Sequence, residues 1–223
     1  MAIHLQHQGR NSMASARPSD PVTLDEARRQ MYRSQIIAAA EGEFARAGFR
    51  DCRMGDVAAT AGISLATLYK HFAGKDALWD AVNATRMAEF MAAVDAAVAE
   101  VESALDGLLA AARAEVEFLT THDAFLAMQL KDGLNWATST AGPSQRRGGQ
   151  RQAWEQGMGL VTRAAERAIR RGEVGVSSPD LVAALVVSAL QIWLTRWVDS
   201  GRRQSPTEVA DEVVTHLRRC LAP

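Results

Sequence analysis

The chain has 223 residues, of which 48% are hydrophobic and only 6% aromatic, so it can bury a sizeable core in one or two domains. Abundant alanine and the lack of long β-branched runs favour helices packed on helices. The net charge of −1 excludes a uniformly basic protein, yet residues 1–75 hold ten Lys or Arg against seven Asp or Glu, and the remainder is acidic. We therefore expect only the first third of the chain to meet an anionic partner.

The first 25 residues are polar and have no periodic apolar positions, which predicts a disordered tail. They also contain no apolar core long enough for a signal peptide. Only residues 181–198 approach the length of a membrane-spanning helix, and four polar residues interrupt them: Ser188, Gln191, Thr195 and Arg196. We therefore expect a soluble, cytoplasmic protein that does not bind membranes.

A helical pattern begins near Glu26. One apolar stripe, with spacings of three and four residues, runs along this first helix: Ile36, Ile37, Ala40, Phe44 and Ala47. Gly48 is expected to end the helix, because glycine adopts the left-handed conformation that a helix stop requires. A short second helix is predicted over residues 52–61, and a third of about two turns over residues 65–72.

The second and third helices, with the turn between them, have the pattern of a helix-turn-helix. Ala58 allows the helices to approach closely, Gly62 tolerates a positive φ in the turn, and Ser64 can cap the third helix. Four apolar residues anchor the motif on the first helix: Val57, Ile63, Leu68 and Phe72. The third helix then projects its other face outward, where it could enter the major groove of DNA.

Six further helices are predicted after Gly74, which gives an all-α fold of about nine helices. The first of the six is long and reaches about Val101. The others cover about these residues: 104–120, 124–137, 150–171, 179–200 and 206–221. We divide the chain into the tail (residues 1–25), the helix-turn-helix domain (residues 26–78) and a C-terminal helical bundle (residues 79–223).

The stretch from Gly48-Phe49 through VAATAGISLATLYKHFAGKDAL resembles the N-terminal domain of TetR/AcrR-type transcriptional regulators. The similarity rests on the Ala58-x3-Gly62-Ile63-Ser64 turn, the Thr67-Leu68-Tyr69-x-His71-Phe72 core, and Lys75 followed by Leu78, and it covers about residues 29–82. The resemblance implies a DNA-binding protein. Its variable C-terminal bundle would sense a ligand and pair in a homodimer through the last two long helices.

By this resemblance, five residues contact DNA: Ser64, Thr67, Tyr69, His71 and Lys75. Hydroxyls of the third helix can bind phosphate oxygens, and the lysine lies at the start of the next helix, where unpaired N–H groups add to its charge. Leu65 and Ala66 face outward but are apolar, so they could read only thymine methyls or groove shape. Arg53 and Lys70 are candidates for contact with the DNA backbone.

The sequence departs from the family at the start of the second helix, where Cys52-Arg53 replaces a Thr-rich pair. Cysteine is a weaker cap, and Arg53 would exchange a hydroxyl contact for a charged one. The two cysteines, Cys52 and Cys220, fit no metal or redox spacing, so we expect reduced thiols. A redox role for Cys52 is the less favoured alternative.

The C-terminal bundle is rich in Trp, Met and Phe, which fill a core or line an adaptable apolar pocket. We assign ten residues to a ligand pocket: Met87, Phe90, Phe118, Phe125, Met128, Trp136, Trp154, Met158, Gln191 and Trp193. The polar groups that could orient a ligand are His122, Gln129, Asn135, Gln191 and Arg196, and the sequence does not rank them. The expected ligand is a small, largely apolar effector.

Residues 181–198 are apolar on two faces. One face follows Leu185, Val186, Ala189, Trp193 and Trp197, and the other follows Leu181, Ala184, Ser188, Ile192 and Thr195. One can cover the subunit core and the other a second subunit. We expect the homodimer interface at six residues of the last two helices: Leu185, Val186, Ala189, Val209, Val213 and Leu217.

An enzyme is the rival class of protein. The five histidines lie at no metal-ligand spacing, and the chain has no G-x-S-x-G, GxGxxG or phosphate-binding glycine loop, so we expect no catalysis, metal or cofactor. The resulting hypothesis is a ligand-released repressor that binds pseudo-palindromic double-stranded operator DNA as a homodimer. A transcriptional activator and a helical adaptor without DNA binding are the alternatives.

Overall fold

The computed structural model describes residues 23–131 and 148–223, without the side chains of residues 148–156. Nine α-helices lie in these ranges: α1 (Leu24–Asp51), α2 (Met54–Thr60), α3 (Leu65–His71), α4 (Lys75–Val98), α5 (Ala104–Thr121), α6 (Asp123–Lys131), α7 (Gly148–Arg170), α8 (Pro179–Asp199) and α9 (Pro206–Leu221). The described ranges contain no strand, and the predicted all-α fold is confirmed. The predicted tail as far as residue 22, Asn135, Trp136 and the side chain of Trp154 lie outside the described residues.

The first helix begins and breaks at residues whose local chemistry explains both events. The Thr23 hydroxyl accepts a hydrogen bond from the Glu26 N–H at 3.3 Å, and the Glu26 carboxylate accepts one from the Thr23 N–H at 2.9 Å. This capping box starts α1 at Leu24, two residues before the predicted start. Gly48, with a φ of 76°, breaks the helical backbone, but α1 resumes after this kink and ends at Asp51, three residues beyond the predicted end.

An aromatic cluster joins the first helix to the fourth. The ring centroids of Phe44 and Trp79 lie 4.9 Å apart, those of Phe49 and Trp79 lie 5.2 Å apart, and both pairs meet edge to face. All three residues are buried. Such pairs add about 0.5–1.5 kcal/mol each beyond their area of burial. The cluster therefore helps to fix the orientation of α4 relative to α1.

The C-terminal bundle is built around α5, which packs against α4, α7 and α9. Its apolar stripe includes Leu108, Ala112 and Leu119, which are all buried. Helix α8 lies between α7 and α9. By length and composition α8 could cross a membrane, but Leu190 and Leu194 are 1% exposed, because α8 supplies a large part of the bundle core.

The stripe of α9 that we predicted for the homodimer interface is buried inside the single chain. Val209, Val213 and Leu217 have almost no exposed surface, because α9 packs against α5. On α8, Val186 and Ala189 are also buried, and Leu185 is half-buried against the core. Five of the six assigned residues therefore have too little exposed surface in the single chain to contact a second subunit, whereas Leu185 keeps part of its surface. The exposed apolar side chains of α8 lie on its other predicted face, with Leu181 at 51% and Ile192 at 59%.

Candidate DNA-binding face and central cavity

The turn between α2 and α3 has the geometry that the sequence predicts. Gly62 adopts a φ of 66°, in the left-handed region, and the Ile63 N–H donates a hydrogen bond to the Ala58 carbonyl at 3.0 Å. The Gln35 side-chain amide of α1 donates to the Ala61 carbonyl at 2.7 Å. This hydrogen bond connects α1 directly to the end of α2.

Helix α3 presents one buried face and one exposed face. Leu68 is fully buried and Phe72 nearly so, which anchors the helix on the core. On the opposite side Tyr69 is 51% exposed and Leu65 45%, and Ala66 and Lys70 are also exposed. The helix carries no acidic residue, and its last turn contains two basic ones. This surface is compatible with the negative potential of a DNA groove.

Two of the predicted contact residues, Ser64 and Thr67, also serve the fold. The Ser64 hydroxyl caps α3 by accepting a hydrogen bond from the Thr67 N–H at 3.1 Å, and the two hydroxyls lie 2.8 Å apart. Thr67 is half-buried, as is His71, whose ring centroid lies 6.0 Å from that of Tyr32. Thr67 and His71 are therefore less accessible to DNA than Tyr69 and Lys70, whereas Ser64 remains exposed.

Lys75, which is predicted to contact phosphate, already has hydrogen-bond partners within the chain. Its Nζ donates hydrogen bonds to the carbonyls of Arg50 at 2.9 Å and Cys52 at 3.0 Å, and it lies 4.8 Å from the ring centroid of Phe49. The ammonium thus satisfies carbonyls at the end of α1 and ties the start of α4 to them. Lys75 is therefore a positioning residue in this structure.

The start of α2 lacks a side-chain cap. Arg53 is the N-cap residue and makes no capping hydrogen bond, while its side chain is exposed. Cys52 is buried, and this burial raises the pKa of its thiol. A raised pKa lowers the thiolate fraction at neutral pH, which supports an inert cysteine rather than a reactive one.

The N-terminal part of α1 holds basic residues for which the sequence pattern predicted no role. Arg28, Arg29 and Arg33 are exposed on the same helix, and the Arg33 guanidinium lies 4.6 Å from the ring centroid of Phe72 at the end of α3. This contact places positive charge beside α3, the recognition helix that is predicted to enter the major groove. The signal in the sequence was the cluster of three arginines within six residues of one helix.

A cavity of about 500 Å³ lies inside the C-terminal bundle. It is lined by α4, α5, α6, α7 and α8, and five of the predicted pocket residues are among its walls: Met87, Phe90, Phe118, Phe125 and Met158. Its size is within the range of sites for drug-sized molecules.

Three predicted pocket residues with described side chains do not line this cavity. Met128 is buried in the core. Trp193 faces α9, where its indole N–H donates to Glu212 at 3.0 Å and its ring lies 4.8 Å from that of His216. Gln191, on the same helix, is also absent from the cavity walls. All three residues were assigned to the pocket by residue type alone. For Gln191 and Trp193, the packing of α8 decides which face of the helix lines the cavity.

Two polar side chains, Gln129 and Glu115, lie in the largely apolar wall of the cavity. Gln129 is 5% exposed, and its amide nitrogen donates to the Asn83 side-chain oxygen at 2.9 Å. Glu115 lies on the inward face of α5, and it is not among the residues predicted for the pocket. Its position between Ala112 and Leu119 of the apolar stripe, at helical spacing, was the signal that could have identified it.

A buried ion pair connects the wall of the cavity to the first helix. Arg86 of α4 lines the cavity and donates to the Glu41 carboxylate of α1, with a shortest distance of 2.7 Å. Arg86 also donates to Glu89 at 2.6 Å. The single helix α4 therefore both lines the cavity and contacts α1 of the N-terminal domain.

A helix-turn-helix with an exposed second helix, joined to a helical bundle with an apolar cavity, defines the class of helical DNA-binding transcription regulators. Residues 36–82 match the model of the bacterial regulatory proteins of the tetR family. The resemblance found in the sequence is thereby confirmed over residues 36–82, which are similar to the DNA-binding domain of that family. No curated protein sequence matches the chain.

Several solved structures share the fold over most of both chains. A protein from Shewanella sp. PV-4 assigned to the tetR family of transcription regulators is 18% identical, covers 86% of this chain and 98% of its own, and has a TM-score of 0.68. FadR from Bacillus subtilis, solved with stearoyl-CoA, is 18% identical, with coverages of 82% and 96% and a TM-score of 0.69. The ketosteroid regulator KstR2 of Mycobacterium tuberculosis is 19% identical, with coverages of 86% and 95% and a TM-score of 0.68. At these identities the similarity establishes the fold of TetR-family regulators.

Proposed function

We propose that this protein is a cytoplasmic transcriptional repressor that binds a pseudo-palindromic operator as a homodimer and leaves it when a largely apolar effector binds. The observation that carries the DNA-binding part is the exposed face of α3, with Leu65, Ala66, Tyr69 and Lys70 directed outward on a buried anchor. A lone recognition helix reads only a few base pairs, so specific binding calls for two copies.

The proposed dimer uses the exposed apolar face of α8. Leu181 and Ile192 are large, apolar and more than half exposed in the single chain, and they lie eleven residues apart on one helix. Eleven residues are about three helical turns, so both side chains point to the same side. Their burial against a second copy would remove the exposed apolar area. Binding to successive major grooves then requires the two recognition helices of the dimer to lie about 34–36 Å apart.

The release step follows from the reach of α4. Met87, Phe90 and Met91 of this helix line the cavity, while Lys75 at its first residue holds the end of α1. A ligand that prefers a different tilt of α4 would therefore move the helix-turn-helix domains relative to each other. Two solved neighbours of this fold, FadR with stearoyl-CoA and the ketosteroid regulator, support an apolar occupant for the cavity.

DNA binding is tested by selecting operator fragments from genomic DNA and measuring the affinity of variants for them. Tyr69→Ala and Lys70→Ala should each weaken binding by about tenfold or more, with unchanged helical content. Arg170→Ala is the matched control, because this exposed arginine lies on α7, in the C-terminal bundle. If the unmodified protein retains no DNA fragment, the helical adaptor is the better hypothesis. If binding increases transcription from the bound promoter, the protein is an activator.

The release mechanism has an independent test. Coupling is reciprocal, so operator DNA must weaken effector binding by the same factor by which the effector weakens DNA binding. Titration of an effector that is found by screening, followed by intrinsic tryptophan fluorescence with and without operator, measures this factor. Equal affinity for free and DNA-bound protein would contradict release by ligand.

A further inference from the structure

The polar groups of the central cavity suggest which chemical class of molecule it accepts. A buried network begins at the Trp79 carbonyl, which can only accept a hydrogen bond. The Asn83 amide nitrogen donates to that carbonyl at 2.9 Å, and the Asn83 oxygen therefore faces the Gln129 nitrogen, also at 2.9 Å. This order fixes the orientation of both amides. It leaves the Gln129 side-chain oxygen buried and without a donor among the described residues.

Glu115 provides a second acceptor in the same cavity. Glu115 is half-buried, and it lines the cavity, so its carboxyl group is accessible from the cavity. No described side chain forms a hydrogen bond or an ion pair with it. Burial raises the pKa of Glu115 to about 7, with no charged neighbour to oppose the effect. A carboxyl group that lines a largely apolar cavity and has no partner among the described side chains is available to a donor group of a ligand.

The other charged residues of the cavity wall are exposed at its rim or already engaged. Arg86 donates to Glu41 and Glu89, and Arg171 donates to the Glu102 carbonyl at 2.6 Å. The remaining charged side chains are exposed: Asp95, Glu102 and Arg167. The described interior thus combines apolar walls with two acceptors that lack a donor. An anionic head group would meet the Glu115 carboxyl group without a free buried cation to balance it.

We propose that the cavity binds a largely apolar molecule whose polar head donates hydrogen bonds, an aliphatic amine or alcohol, with Glu115 and Gln129 as its acceptors. This inference depends on the proposed function only in treating the cavity as the effector site. An ammonium group satisfies the Glu115 carboxylate by charge as well as by hydrogen bonding, so the amine should bind more tightly than the alcohol of equal chain length. A carboxylic acid of that length should bind least.

Three probes with the same alkyl chain separate these classes: decylamine, decanol and decanoic acid. Each displaces Nile red, a neutral apolar dye, from the full-length protein in the absence of DNA. The expected order of affinity is amine, then alcohol, then acid, with at least about tenfold between the first and the last. Displacement by none of the three, equal displacement by all, or preference for the acid overturns the assignment.

Substitution of the acceptor tests the role of Glu115 itself. Glu115→Gln should weaken decylamine binding by about tenfold or more, while the affinities for decanol and Nile red change by less than about twofold. Glu117→Gln is the matched control, because Glu117 lies on the same helix but is exposed and paired with Arg113. Loss of decanol and dye binding in Glu115→Gln to the same extent as amine binding would mean a collapsed cavity and would contradict a specific acceptor.

The pH dependence of binding supplies a second readout. An amine that binds the ionised form of Glu115 displaces its proton, so decylamine affinity should rise from about pH 5 to pH 8. Decanol affinity should stay nearly constant, and Glu115→Gln should remove the dependence for the amine. A flat profile for decylamine in the unmodified protein overturns the proposed pairing. Operator affinity is measured in a separate experiment. Failure of the ligand proposal would therefore not contradict the proposed DNA binding.

Discussion

The Arg86 side chain of α4 forms three hydrogen bonds with the carboxylate of Glu41 in α1, at 3.2, 3.0 and 2.7 Å. Glu41 is almost completely buried, whereas Arg86 retains some exposed surface and a second partner, Glu89. The pair is therefore asymmetric. Removal of the arginine leaves a buried carboxylate alone, but removal of the glutamate leaves an arginine that still has Glu89 and solvent.

This asymmetry predicts unequal effects on stability. Arg86→Leu should lower the free energy of unfolding by about 3–5 kcal/mol, the cost of an unpaired buried charge. Glu41→Leu should cost less, and the double variant should be more stable than Arg86→Leu alone. Denaturant unfolding measures all three. Arg113→Leu is the control, because its ion pairs are more exposed and should contribute less than about 1 kcal/mol. A larger loss for Glu41→Leu than for Arg86→Leu would contradict the asymmetry.

The two lysines near the recognition helix should behave differently in DNA binding. Lys70 is exposed, so Lys70→Met should weaken operator binding and reduce the slope of log affinity against log salt by about 1. Lys75 is held by two carbonyls, so Lys75→Met should lower thermal stability and DNA affinity while the salt slope stays unchanged. Affinity measured at several salt concentrations separates the two cases. A reduced slope of log affinity against log salt for Lys75→Met would show that Lys75 contacts a phosphate.

The proposed dimer predicts the effect of a charge on the outer face of α8. Ile192→Asp should give a monomer in light scattering with unchanged helical content, because a desolvated aspartate at the interface would cost several kcal/mol. Met31→Asp should remain dimeric, since this exposed apolar residue lies on α1. A dimeric Ile192→Asp protein would place the interface elsewhere.

Glu115 makes the stability of the ligand-free protein depend on pH. Its pKa is raised from 4.5 to about 7 in the folded state, so the unfolded state releases the proton first as the pH rises. The group therefore has no effect below about pH 4 and destabilises the fold increasingly up to about pH 7, by roughly 2–3 kcal/mol. Relative to the unmodified protein, Glu115→Gln should gain stability across this interval. Parallel stability curves of the two proteins would show that Glu115 titrates normally.

The helices and the DNA-binding motif were predictable from local patterns. Gly62, Ser64 and the buried Leu68 fulfil their predicted roles, because a positive φ, a helix cap and an apolar stripe each depend on residues close together in the chain. The same holds for the helix break at Gly48. These local features predict a helix-turn-helix before any long-range contact is known.

The partners of individual side chains depended on contacts between distant segments. The sequence predicts that Lys75 contacts phosphate. Only the fold shows that its ammonium group donates hydrogen bonds to the Arg50 and Cys52 carbonyls. The apolar stripes of α8 and α9 were equally plausible as core or interface, because periodicity identifies a face but does not say which neighbour covers it. Packing against α5 buried Val213 and left Ile192 exposed. Sequence alone thus determined the type of domain and its recognition helix, whereas tertiary structure decided which charges are engaged and which apolar faces are free.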